Sequence, residues 1–199
     1  MNRINRFLVS LLSVFVATAA LAQSPNDLVQ GAADALAAAM QGRKQELAAN
    51  KDELYALIDE VLLPRFDRRY AAQLVLGKHW RNADEAQRKR FIDAFYQSLL
   101  RRYADGVLEY DESKVKILPF RGDESGPRVI VKTMVRMDDG TDVPVNYGLV
   151  KRDDGWKMFD VTIEGISYVR NFRTELNAEI QSTSLDAVIE RLESEESGE

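Results

Sequence analysis

The hydrophobic pattern of this chain changes its period near Glu109, and that change restricts the folds open to it. Before Glu109 the apolar residues recur every three or four positions, the repeat of a helix face. After it they alternate, the repeat of a strand with one face buried. Helices followed by strands define an α+β architecture, with a helical half packed on an antiparallel sheet.

The helical half carries its own punctuation. Ser24-Pro25 supplies an N-cap and a Pro at N1 for an Ala-rich helix to Met40. Asn50 with Glu53 forms a capping-box-like start for a helix bearing Leu54, Leu57, Ile58, Val61 and Leu62, which Pro64 is expected to end or kink. A helix over 67–76 stops at Gly77, and Asn82 with Glu85 is read as a second box opening the longest helix, to Tyr103 or beyond. On that helix Phe91, Phe95 and Leu99 form one row beside Ile92, Tyr96, Leu99 and Tyr103. Its apolar face is therefore wide.

Four strands are expected, over 114–120, 128–137, 143–151 and 156–163. Asp139-Gly140 and Asp154-Gly155 are hairpin signals, so the strands form a meander. Alternation puts Val129, Val131, Thr133, Val135 and Met137 on one face, and Val143, Val145, Tyr147 and Leu149 on one face of the next strand. Pro144 implies an edge or a bulge there. In residues 160–173, Val161-Thr162-Ile163 runs into Gly165, and Ser167 caps a helix with Val169, Phe172, Leu176 and Ile180 at helical spacing. A last helix carries Leu185, Val188, Ile189 and Leu192.

The first residues set the compartment. Arg3 and Arg6 precede an apolar run from Phe7 to Ala20, and Ala20-Leu21-Ala22 offers the small residues of a cleavage site. The run falls short of the roughly 20 apolar residues that span a bilayer. Residues 1–22 are thus expected to be a cleaved signal peptide, and residues 23–199 a single exported domain with helices over 24–110, sheet over 114–164 and C-terminal helices over 167–193. The chain has no cysteine, which excludes disulfides, thiolate metal sites and lipoprotein acylation. Charge points away from nucleic acid: 32 acidic residues face 27 basic ones, two of which lie in the leader. Glu190, Glu193, Glu195, Glu196 and Glu199 crowd the C-terminus, which is expected to fray. Basic clusters at Arg65, Arg68 and Arg69 and at Arg88, Lys89 and Arg90 read as solvated helix faces or as a docking patch for an acidic partner or anionic membrane.

Enzymatic motifs are missing. His79 is the only histidine, and no Gly-Xaa-Ser-Xaa-Gly, P-loop or His-Glu-Xaa-Xaa-His sequence occurs. Asp160 and Glu164 share strand parity but would stand roughly 13 Å apart along a regular strand. The chain is read as a non-enzyme without metal or cofactor.

Two separated segments carry a resemblance. Gly77-Lys78-His79-Trp80-Arg81, then Glu85-Ala86-Gln87-Arg88, Phe91 and residues 99–103, together with residues 160–173, resemble the MlaC family of periplasmic phospholipid-binding proteins, also called the toluene-tolerance family. Phe172 and Tyr168 depart from the family's more usual Tyr and aliphatic residue. The resemblance implies a nuclear-transport-factor-like cone with an apolar cavity between sheet and helices. It further implies a periplasmic carrier with glycerophospholipid as cargo, exchanging lipid with an outer-membrane lipoprotein complex and an inner-membrane ABC transporter bearing an MCE-domain subunit, and so maintaining outer-membrane asymmetry. Moving roughly thirty acyl methylenes through water costs on the order of 20 kcal/mol, so such a carrier must enclose the tails. Phe95, Leu99, Tyr103, Val131, Val145, Tyr147, Leu149, Val161, Ile163, Val169 and Phe172 are the candidate lining. Each also suits a packed core, and periodicity does not separate a filled core from a cavity. Arg170 and Arg173 are read either as head-group contacts or as structural ions paired with Asp160, Glu164 or Glu175. The alternative function is an exported chaperone or assembly factor that binds an apolar protein segment.

Overall fold

The computed structural model describes residues 23–197; the expected leader and its cleavage site lie outside them. Among the described residues, eight α-helices and five strands follow in the order the period change requires, helices first. Helix α1 (Pro25–Met40) is closed at its start by reciprocal bonds between Ser24 and Asp27, and α2 (Lys44–Ala49) leads to α3 (Lys51–Val61), capped by Asn50. Pro64 sits in a 3₁₀ turn, Leu63–Arg65, that redirects the chain. Asp67 caps α4 (Arg68–Leu76). Gly77 ends it at φ +53°, a conformation open to glycine, and the short α5 (Lys78–Asn82) follows.

The long helix α6 (Glu85–Leu108) starts one turn-position away from where the sequence pattern puts it. Asp84, not Asn82, is the N-cap, and its carboxylate and the Gln87 side chain make the reciprocal box. Asn82 instead closes α5, because the intervening Ala83 is extended. After the sheet come α7 (Tyr168–Ser182), capped by Ser167, and α8 (Leu185–Ser197). The glutamate-rich end does not fray at position 193: Arg90 on α6 donates two hydrogen bonds to Glu193, at 2.9 and 2.7 Å, and Arg191 reaches Glu195 at 2.6 Å.

The sheet is an antiparallel meander of β1 (Val115–Ile117), β2 (Arg128–Arg136), β3 (Asp142–Arg152), β4 (Gly155–Ile163) and β5 (Ile166–Ser167), in that spatial order. Four of these match the expected strands. The fifth is a two-residue strand folded back on β4, pairing Ile163 with Ile166 across Glu164 (φ +51°) and Gly165 (φ +84°). Two successive positive φ angles make the compact hairpin turn whose twist suits the flanking strands. Gly165 is therefore a hairpin corner. The β2–β3 register pairs Val129 with Leu149, Val131 with Tyr147 and Thr133 with Val145, so the two alternating rows share one face. Pro144 lies on a central strand, contrary to the edge expectation. Its carbonyl accepts the Glu164 amide at 3.0 Å, and in an antiparallel strand its nitrogen faces the same way, toward the β4–β5 turn where the ladder has ended. A register shift beside Gly148 leaves Phe159 as an extra residue between Met158, opposite Leu149, and Asp160, opposite Gly148.

Three cores hold these elements. Leu28, Val29 and Ala32 of α1 pack on Val129, Val131, Leu149, Trp156 and Met158 of the sheet. The second half of α1 joins α2, α3 and the end of α6 through Met40, Leu47, Leu54, Leu100 and Ala104. Helices α4, α6, α7 and α8 form the third, around Phe91, Phe95, Phe172, Leu176 and Ile189.

An apolar cavity between the helices and the inner strand

The second and third cores do not close on each other. Between them and β4 lies a cavity of about 340 Å³, walled by α3, the turn after it, α4, α6, β4 and the start of α7. That volume falls in the range of about 300–1,000 Å³ typical of small-molecule sites. Its walls are aliphatic and aromatic, and among the described residues Arg68 is the only charged one on them.

Helix α6 supplies the longest wall because its apolar face is wider than one core needs. Phe91 is fully buried, with its ring stacked on that of Phe95 at 5.4 Å. The next row, Ile92, Tyr96, Leu99 and Tyr103, turns to the cavity. Phe95 meets the Phe172 ring edge-on at 5.2 Å, joining α6 to α7, and Tyr103 meets Tyr168 in the same manner at 5.3 Å. Tyr103 is 39% exposed, which places this aromatic pair at an opening. The Tyr96 hydroxyl donates to Asp59 at 2.7 Å. Burial, then that carboxylate, pushes the phenol far above its ordinary range, so it stays a neutral donor.

The opposite wall depends on Asp160. Its carboxylate accepts the Val169 amide at 3.0 Å and the Ser167 hydroxyl at 2.6 Å, while the Ser167 oxygen accepts the Arg170 amide at 3.1 Å. The strand thus caps the helix that follows it. Val161, Ile163, Val169 and Phe172 are fixed around the cavity by this corner.

Seven of the eleven candidate lining residues border the cavity: Phe95, Leu99, Tyr103, Val161, Ile163, Val169 and Phe172. The other four stand elsewhere. Val131 and Leu149 are fully buried beneath α1, Tyr147 packs against the same core, and Val145 is a half-buried neighbour in the register. Burial raises the Tyr147 phenol above its usual range as well. The wall residues missed by alternation are Ile58, Leu62, Phe66, Ala71, Tyr96, Val107, Phe159 and Tyr168 among others. Tyr96 was legible in the second row of α6. Phe159 was not, because the extra residue in β4 is not written in the hydrophobic pattern.

Neither Arg170 nor Arg173 borders the cavity. Arg170 is exposed, and the Arg173 guanidinium packs on Gly77, where a Cβ would stand 2.9 Å from its Nε. Among the described residues neither forms an ion pair with Asp160, Glu164 or Glu175; Asp160 serves the helix start instead. His79 lies against Asn177, at 3.0 Å, and the described residues contain no group of three or more His, Asp or Glu placed to hold a metal.

A helical layer and an open antiparallel sheet with an apolar cavity between them define an α+β fold. The chain belongs to the MlaC family, whose model, described as MlaC protein, matches residues 30–194. It is 28% identical over 184 residues to the toluene tolerance protein ttg2D of Pseudomonas putida, covering 92% of this chain and 85% of that protein. It is 23% identical over 193 residues to the intermembrane phospholipid transport system binding protein MlaC of Haemophilus influenzae, covering 94% and 89% respectively. Its fold is similar to that of a phospholipid-binding protein from Ralstonia solanacearum solved in complex with a phospholipid, with a TM-score of 0.76 at 24% identity over 85% of this chain and 94% of the other.

Proposed function

We propose that this chain is a soluble periplasmic carrier that encloses the acyl chains of a glycerophospholipid. It shuttles that lipid between an outer-membrane lipoprotein complex and an inner-membrane ABC transporter with an MCE-domain subunit, maintaining outer-membrane lipid asymmetry. The observation that carries this reading is the cavity itself: a large space with apolar walls, bordered by one cation, suits hydrocarbon and offers little to a polar ligand. The phospholipid transport and phospholipid-binding roles named for its relatives support this reading. The cargo is the ligand; the carrier has no chemistry to perform on it.

Native mass spectrometry of protein purified from its own cells tests the reading. The expected result is a diacyl phospholipid bound to most molecules, with a fall in thermal midpoint once it is extracted. Protein that carries no lipid, and takes none from vesicles, removes the carrier reading in favour of a binder of protein segments.

A further inference from the structure

A second depression adjoins the apolar cavity. It has a volume of about 730 Å³ and lies between the β3–β4 hairpin and the start of α4. Phe66, Arg68 and Ile92 border both spaces, so the two meet along these residues. Five cations and three carboxylates line the depression, a local positive excess on a chain whose net charge is −5.

Most of those cations are already spent. Arg152 binds Asp67 at 2.6 Å, Arg69 binds Glu85 at 3.1 Å, and Lys157 binds Asp154 at 3.0 Å. Arg68 is different. It approaches the Asp93 carboxylate only to 3.9 Å, and among the described residues its guanidinium donates no hydrogen bond that meets ordinary geometry. The plane is steadied by the Tyr96 ring, 5.0 Å from Cζ, while the side chain keeps 36% of its surface accessible. A guanidinium offers five N–H donors in a fixed fork that matches phosphate oxygens in pairs. Here that fork stands on the boundary between hydrocarbon-like walls and a polar groove.

We propose that Arg68 receives the phosphodiester of the lipid whose chains fill the cavity, donating paired hydrogen bonds to its unesterified oxygens. The head group beyond the phosphate then lies in the polar groove. This inference rests on the carrier reading and adds to it the residue that meets the phosphate at the junction of chains and head. A contact to phosphate is compatible with varied head groups, since every glycerophospholipid has that group.

Delipidated protein titrated calorimetrically with monomeric dihexanoyl phosphatidylglycerol and with dihexanoylglycerol, which lacks only the phosphate-linked head, tests it. The wild type is expected to bind the phospholipid about tenfold more tightly, the effect of one charge-assisted contact. Arg68→Met, which keeps the stem, is expected to erase that preference by weakening the phospholipid about tenfold more than dihexanoylglycerol, and Arg68→Lys to restore part of it. Equal weakening of both ligands by Arg68→Met makes the residue a packing element and overturns the proposal, as does a wild type without preference. Inorganic phosphate binding to the wild type and not to Arg68→Met, with no phospholipid preference, makes the site one for a free anion and also overturns it. A wild type that binds neither lipid defeats the carrier reading itself.

Discussion

The Asp160 carboxylate on β4 accepts the Val169 amide in the first turn of α7 at 3.0 Å, so a strand residue sets the position of a cavity-wall residue nine places on. The same carboxylate holds the Ser167 hydroxyl that caps the helix. Replacing Asp160 by Ala is expected to lower stability by about 1 kcal/mol, the ordinary cost of a lost cap. Urea unfolding measures this, and lipid transfer from the variant is expected to be faster because Val169 and Phe172 are less firmly held.

A bulky residue separates cavity from core. Leu99 borders the cavity, whereas Leu149 is fully buried beneath α1. Leu99→Trp is expected to displace co-purified lipid with a stability change within about 1 kcal/mol, and Leu149→Trp to cost about 1–3 kcal/mol or more by overpacking. Lipid content by mass spectrometry beside chemical denaturation distinguishes the two sites.

Gly165 stands at φ +84° with open space where a Cβ would go, so its substitution tests conformation rather than collision. Gly165→Ala is expected to destabilise by about 1 kcal/mol, while Gly165→Asn, which tolerates a left-handed backbone, costs clearly less. If the β4–β5 corner also governs cavity opening, lipid exchange slows in both variants; an unchanged rate in both rejects that role.

The Arg90–Glu193 contact makes a pH prediction. The guanidinium, through its hydrogen bonds, holds the Glu193 carboxyl below the usual carboxylate range. A folded-state pKa below the unfolded value contributes stability above the unfolded pKa, near 4.3 for Glu, and loses it as pH falls through the folded value. Glu193→Gln is therefore expected to reduce stability at pH 7, and the difference from the wild type to shrink as pH falls below the usual carboxylate range, with denaturation followed across that range.

Local chemistry explains what was readable before the structure. Ser24, Asn50 and Ser167 cap helices because their side chains satisfy backbone donors within three residues, and the two Asp-Gly turns fix hairpins just as locally. The cavity is not local. Alternation assigns Val131 and Val161 to buried faces alike, yet only the packing of Leu28 and Val29 from α1 decides that the former is filled core and the latter a wall. Arg68 was legible only as a member of the Arg65, Arg68 and Arg69 cluster, because its place between two spaces depends on Tyr96 and β4.

The two outer strands of the sheet are very short, three residues in β1 and two in β5. A long bare flank would template pairing with the flank of another copy, and short flanking strands are a common defence against it. On the inner sheet, the segment at Phe66 and Asp67 also covers part of β4, with Asp67 donating its amide to Met158. The consequence concerns association between copies: the outermost strands themselves offer only three and two residues of backbone for another copy to pair with.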